Sequence, residues 1–429
     1  MTHRPPTPQF HGLRTGTAGL LLAAFAAAAS AQLPPGDGPV QVRAGVVEPT
    51  PVPFNDRLLN QLRVPAGFSI SVFAKDLKNV RWLAVAPNGD VYASRREQGD
   101  VLLLRDTNGD GQADEQQVVL QNAKYAHGLA LRDGKLYLVT DKKLLVADVQ
   151  PDGTLSPAKT LLDDLPDAGQ HPNRTLAFGP DGWLYVSVGS TCNNCREPNP
   201  ESATLLRMRP DGSAREVYAS GLRNTIGFGW HPASGQLYGF DHGSDYQGDD
   251  EPPEELNAIH ANKHYGWPFC WGERKVTTTQ FNEPPQTTKA DFCPTTEAPV
   301  LHYTAHAAPL GLVFYTGEQF PREFRGDAFV AFRGSWNRSQ PSGYSVVRVR
   351  FDASGKPQAT EDFATGWLMQ QLPPGLNAPG AAPAPAEQAK ARRPAQFGRL
   401  AGLAQARDGS LLLAEDQNGV IYRIRYSGR

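Results

Sequence analysis

Three features of the 429-residue sequence predict an all-β fold, a six-bladed β-propeller with four-stranded antiparallel blades. One unit occurs six times: an apolar strand, a turn centred on Asp-Gly or a relative of it, and a second strand rich in Leu, Tyr and Val. Its first four copies recur at roughly 45 to 52 residues, the length of one propeller blade. No long amphipathic helix competes with that pattern.

The copies run in order along the chain. They begin with Leu83 to Tyr92 around Asn88-Gly89, and Gly128 to Tyr137 around Asp133-Gly134. Thr175 to Ser190 follows around Asp181-Gly182, then Gly227 to Tyr238 around Ser234-Gly235. A degenerate copy pairs Gly311-Leu312-Val313-Phe314-Tyr315 with Asp327 to Phe332, and the last spans Gly402 to Leu413 around Asp408-Gly409. Asx-Gly between alternating apolar runs is a hairpin signal, on the expectation that both turn residues take positive φ. Insertions nearly double the last two intervals. One covers Gly239 to Pro309; another, Pro373 to Pro394, is Pro- and Ala-rich and reads as a mobile linker loop.

The first 31 residues read as a secretory signal peptide. Arg4 and Arg14 make a basic start, Leu20 to Ala28 is apolar, and Ala29-Ser30-Ala31 is a small-x-small cleavage site. That apolar run is shorter than the ~20 residues a bilayer-spanning helix needs, so no membrane span is expected. Residues 32–64 form an N-terminal extension, and residues 65–429 the propeller domain. An exported protein, periplasmic or extracellular, is the expectation. Formal charge is −2, and loss of Arg4 and Arg14 makes it −4, a balance that excludes a basic nucleic-acid-binding surface.

Export makes disulfides the default for Cys192, Cys195, Cys270 and Cys293. Pairing of sequence neighbours, Cys192–Cys195 and Cys270–Cys293, is expected, with other connectivities open. Arg196 follows the Cys-x-x-Cys where a covalent haem needs His.

In a propeller the loops ahead of the inner strands make the site. Those loops carry Tyr125-Ala126-His127, His171 to Arg174, Arg223-Asn224-Thr225, His306 to Pro309, and Phe397-Gly398-Arg399. Such a rim suits an anion, because guanidinium forks match carboxylate and quinone oxygens. Equally, the arginines can cross-brace adjacent blades.

From about Pro65 to Tyr426 the chain resembles the soluble PQQ-dependent sugar dehydrogenases, the glucose and sorbosone dehydrogenases. The resemblance rests on Gly221-Leu222-Arg223-Asn224, Asp241-His242-Gly243, Glu255-Leu256-Asn257 and His264-Tyr265-Gly266-Trp267-Pro268, with Gly334-Ser335-Trp336-Asn337-Arg338 and Gly419 to Ile424. It implies a quinoprotein that oxidises a sugar hydroxyl or aldehyde hydrate and passes electrons to an external acceptor. His171 matches the family's base, a role imidazole suits because its pKa lies near working pH; Arg174 nearby would favour its neutral form. Arg223 and Asn224 match the pair that contacts the quinone, with Arg223 stabilising developing negative charge. Gly243 and Ser244 match a Gly-Pro pair whose carbonyls hold calcium, with Ser244 replacing proline. Arg333 stands for a lysine that faces the quinone carboxylates. Arg399 matches the first of two arginines, the second falling on Ala401.

Two acidic stretches also suit calcium. Asp249, Asp250, Glu251, Glu254 and Glu255 read either as hard oxygen ligands or as a solvated loop. Asp106 to Asp114 copies the start of an EF-hand loop, but position twelve is Gln117, so a plain hairpin turn fits as well. A calcium-dependent sugar lactonase or a non-catalytic binding module is the alternative to the dehydrogenase.

Overall fold

The computed structural model describes residues 43–167, 169–279, 282–371 and 393–428. The signal-peptide reading, and all but the last two residues of the Pro373–Pro394 loop, lie outside the described residues. Within them the fold is all-β, and helix is confined to one α-turn, Lys289–Phe292, and three short 3-10 segments. Among the described residues no helix is long and apolar enough to cross a membrane.

Six antiparallel sheets of four strands make up the body, the third extended by a fifth, parallel strand. Each predicted hairpin is the first pair of strands in one sheet. The first strands are Val80–Val85, Leu129–Arg132, Leu176–Phe178, Phe228–Trp230, Pro309–Phe314 and Leu400–Gln405. The last sheet draws its outermost strand, Phe68–Ala74, from the start of the domain, paired with Val420–Tyr426 at the end. The N-terminal extension joins the same region: Thr50–Pro51 pairs with Ala395–Gln396, and Val52, Leu58 and Leu62 are buried beside the last two sheets.

The turns differ from expectation in one respect. Only Asp133-Gly134 has both residues at positive φ, 50° and 71°. In Asn88-Gly89, Asp181-Gly182 and Asp408-Gly409 the glycine alone is left-handed. There the Asx carboxylate or amide oxygen instead accepts the N–H two residues on, in Asp90, Trp183 and Ser410, an Asx-turn that needs no positive φ at Asx.

Apolar side chains alternate along each strand, so each sheet buries both faces against its neighbours. Tyr137 and Val186 join the second sheet to the third, Tyr185 and Phe228 the third to the fourth, Tyr238 and Phe332 the fourth to the fifth. Phe329 and Tyr422 join the fifth to the last, and Leu412 and Val91 the last to the first. Where first strands converge, glycine is required. A Cβ on Gly227 would lie 2.2 Å from Leu310 O, and one on Gly402 2.6 Å from Arg81 O. Both cysteine pairings form as expected, Cys192–Cys195 and Cys270–Cys293.

Candidate active site

His171 lies in the loop ahead of Leu176–Phe178, and its ring is held from one side. Nδ1 is 2.9 Å from Ser190 O and 2.8 Å from Ser190 Oγ. The Ser190 hydroxyl donates onward to Cys192 O at 2.7 Å, so both Ser190 oxygens act as acceptors. The ring proton therefore sits on Nδ1 and the Nε2 lone pair is free. Nε2 has no hydrogen-bond partner among the described residues. Gly189 makes room for this arrangement: a Cβ there would meet His171 Cβ at 2.6 Å and Asn224 Oδ1 at 2.7 Å. Burial holds the imidazole pKa well below 6.5; Arg223 adds most among the charges, with His242 and Arg174 behind it and the Ser190 carbonyl opposing.

Arg174 is not a rim ligand. It is fully buried, and its guanidinium donates to the carbonyls of His171 at 2.9 Å, Pro166 at 3.1 Å, Asp141 at 3.3 Å and Asp167 at 3.3 Å. His127 is likewise a brace, its Nδ1 2.8 Å from Arg174 O.

Arg223 and Asn224 are set by Asp241 at the end of strand Leu237–Asp241. Its carboxylate accepts Arg223 N, Asn224 N and Thr225 Oγ1, each at 2.8 Å. Burial raises Asp241 to about 6, against those three bonds. The Arg223 side chain donates from Nε to Asn193 O at 2.9 Å and from Nη2 to Asn193 Oδ1 at 2.8 Å. It also pairs with Asp245 at 3.2 Å. His242 donates from Nε2 to Pro309 O, so its Nδ1 accepts from Asn224 Nδ2 at 3.1 Å. Burial pushes His242 down to about 4.

Arg333 and Arg399 belong to a second cluster, with two arginines the sequence reasoning missed. Arg333 donates to Asp416 Oδ2 at 2.6 Å, and Arg81 binds the same oxygen. Arg399 donates to Gly334 O at 2.7 Å and lies over the Tyr344 ring; Arg96 lies over Tyr125. Burial lowers Arg81 to about 10; Asp416 opposes the shift, while Arg333 and Arg96 deepen it. Asp416, with Glu48 acting on Arg399, leaves four guanidiniums with net positive charge. The Nε donors of Arg81, Arg96 and Arg399 are buried without partners, the condition a multiply charged planar anion would relieve.

A positional rule would have found the missed residues. Arg81 lies two residues ahead of Leu83, as His127 and Arg174 lie two residues ahead of Leu129 and Leu176, although here the strand already starts at Val80. Arg96, Gly189, His242, Arg333 and Asp416 are each the first residue after a second strand.

The Gly243–Ser244 segment fits a cation. Neither carbonyl accepts a hydrogen bond among the described residues, while Gly243 N donates to Glu254 Oε2 at 3.0 Å. The neighbouring acidic residues are otherwise engaged, which removes the solvated-loop reading for most of them. Glu254 and Glu255 are buried strand residues. Asp249 accepts from Ser339 N, Asp250 pairs with Arg338, and Glu251 with Lys275. In the Asp106–Asp114 loop the carboxylates take turn donors: Asp106 from Gly109 N and Gly111 N, Asp114 from Thr107 N and Asn108 N.

Comparison with known proteins places these features in a family. A TrAA12-like family model matches residues 62–427. An uncharacterised protein of Borreliella burgdorferi is 26% identical over 386 residues, covering 86% of this chain and 92% of the relative. The calcium structure of the Trichoderma reesei carbohydrate-active enzyme of family AA12 superposes with a TM-score of 0.68 at 21% identity, covering 89% of this chain and 98% of that one. The holo pyranose dehydrogenase PQQ domain of Coprinopsis cinerea gives 0.67 at 21% identity, covering 88% and 98%. With a matching model over nearly the whole described chain and a shared fold, the chain belongs to the TrAA12-like family.

Proposed function

We propose that the chain is an exported quinoprotein oxidoreductase that oxidises a sugar, built as a six-bladed propeller with its site in the channel mouth. The observation that carries this reading is a His171 held at Nδ1 by Ser190 with Nε2 unpartnered among the described residues, together with a rim of buried arginine donors that lack partners. The solved relatives named for PQQ and for calcium support the same assignment.

Arg333, Arg399, Arg223 and Asn224, joined by Arg81 and Arg96, would hold PQQ, and the carbonyls of Gly243 and Ser244 would hold calcium. Bound there, PQQ would supply a two-electron acceptor and calcium a Lewis acid beside it. His171 takes the proton of the sugar hydroxyl at Nε2. Ser190 accepts Nδ1–H throughout, fixing the tautomer and stabilising the imidazolium. Arg223, fixed in place by Asn193 and Asp245, disfavours early protonation and keeps the ring neutral and able to accept the proton.

The mouth also carries an aromatic pair suited to a pyranose ring. Tyr246 is 70% exposed and meets Trp336 edge-on at 5.8 Å. Both are anchored by their neighbours, Asp245 and Asn337, joined at 2.6 Å.

A lactonase needs channel carboxylates free to bind metal and water. Here Asp241, Glu254 and Asp416 are taken by backbone donors or arginines. Dye reduction with a panel of aldoses, with and without PQQ and calcium, tests the proposal. PQQ-dependent reduction with at least one sugar is expected; its absence with all of them, in protein shown to bind PQQ, would overturn the redox assignment.

A further inference from the structure

We propose that Asn193, held within the Cys192–Cys195 disulfide ring, is the positioning residue that sets Arg223 and the Ser244–Asp245 segment relative to His171. The inference rests on the reading of His171 as the base, and extends it to a residue and a disulfide with no assigned role.

Asn193 uses nearly all its polar capacity on the site. Its amide oxygen accepts from Arg223 Nη2 at 2.8 Å and from Asp245 N at 2.7 Å. Its amide nitrogen donates to Asp245 O at 3.1 Å. The side chain thus pairs with the Asp245 backbone as a neighbouring strand would. Its main-chain carbonyl accepts from Arg223 Nε at 2.9 Å, Ser244 Oγ at 3.3 Å and Trp267 Nε1 at 3.4 Å. Two donors along one edge of the guanidinium therefore rest on one residue. A planar fork held at two points cannot rotate, whereas its other contacts, with Asp245 at 3.2 Å and His242 O at 3.4 Å, are longer and hold it less firmly.

The same loop also holds the base. Cys192 O accepts a hydrogen bond from the Ser190 hydroxyl at 2.7 Å, which leaves Ser190 Oγ to accept from His171 Nδ1. Thr191 O accepts from Gln170 N at 2.8 Å, tying the His171 loop back to the ring. Glu197 closes the far side, accepting Thr191 N at 2.6 Å and Thr191 Oγ1 at 2.8 Å. A disulfide across a sequence separation of 3 restricts the unfolded chain less than one across 23. Its main consequence is local: Cys192 and Asn193 present their oxygens in fixed directions to the two halves of the site.

The test is Asn193→Ala, compared with wild type as cofactor-free full-length protein. His171 is followed by NMR of labelled imidazole as pH is varied. The charged and titratable groups facing it are Arg223, His242 and Arg174; Arg223 keeps its Nε bond to the main-chain carbonyl of residue 193 but loses the Nη2 bond to the side chain, and this loosening is expected to move the His171 titration up by about half a pH unit. In the PQQ-loaded enzyme kcat is expected to fall about tenfold or more, with KM for sugar within about threefold. An unmoved His171 titration together with unchanged kcat overturns the proposal. Where the variant does not fold, the folded wild type offers a second route. Cys192 and Cys195 are half-buried, whereas Cys270 and Cys293 are 3% and 1% exposed. Mild reduction and alkylation, checked by mass spectrometry, therefore opens the first bridge selectively. The same upward shift is expected, and its absence counts against the proposal. Wild type that shows no PQQ-dependent turnover defeats the quinoprotein reading but leaves the NMR comparison standing.

Discussion

His171 Nδ1 lies 2.8 Å from the hydroxyl of Ser190, and that hydroxyl is committed as a donor to Cys192 O. The pair leaves Nε2 basic, and its surroundings hold the ring neutral. His171→Ala is expected to lower kcat by about 10²- to 10⁴-fold with cofactor affinity little changed. Ser190→Ala keeps the carbonyl acceptor at 2.9 Å and is expected to cost only about 3- to 10-fold. Because the His171 pKa is held below 6.5, the required neutral form persists on moderate acidification. A kcat/KM profile on its acid side should therefore be flat above pH 6.5 and fall only below it. A limb centred above 6.5 would contradict the assignment.

The arginines separate into two functional kinds. Arg399→Gln should weaken PQQ binding, read by fluorescence titration, by about 10- to 100-fold, the range of one or two charge-assisted hydrogen bonds. Its melting temperature should stay near that of wild type. Arg174→Met should behave in the opposite way. It leaves four carbonyls without their donor and should lower the melting temperature by roughly 5 °C or more. Equal effects of both substitutions on PQQ affinity would show that Arg174 reaches the cofactor.

The proposed calcium site on the Gly243 and Ser244 carbonyls makes a distinct prediction. Chelation should lower turnover, and added calcium should restore it. Ser244→Ala removes only a hydroxyl that donates to Asn193 O at 3.3 Å, so calcium affinity should change by less than about threefold. A loss far beyond that would mean that the side chain is the ligand.

The hairpins were legible because each is local: an alternating run, an Asx-Gly turn, and a second run within one short window. The positions of His171, Arg223 and Asn224 were legible because they stand directly ahead of such windows; their proposed roles rest on the family resemblance. Arg81 stands ahead of its copy in the same way, whereas Asp416 follows the second strand of the last copy, Leu411–Glu415. Asn193 is different in kind. Its contacts cross from the loop after Leu184–Val188 to the loop after Leu237–Asp241, so no local pattern announces them. The closing strand Phe68–Ala74 pairs with the other end of the chain, a register that alternation alone leaves undetermined. Arg174 shows the converse: an arginine beside a base looks functional in sequence, and only its four carbonyl partners reveal a brace.

Buried carboxyls give the fold a pH dependence of its own. Glu255 and Glu415 are both pushed up to about 8, first by burial, against the backbone donors that each accepts. In the unfolded chain they titrate near 4.5. Between those values the folded state binds more protons than the unfolded one, so stability must decline as pH rises from about 4.5 to about 8. Glutamine at either position mimics the protonated acid, keeps an oxygen for the backbone N–H groups and carries no charge to bury. Glu255→Gln or Glu415→Gln should therefore flatten the fall in melting temperature across that window and raise it most above pH 8. A variant whose melting temperature tracks wild type at every pH would show that the carboxylate enters the fold already ionised.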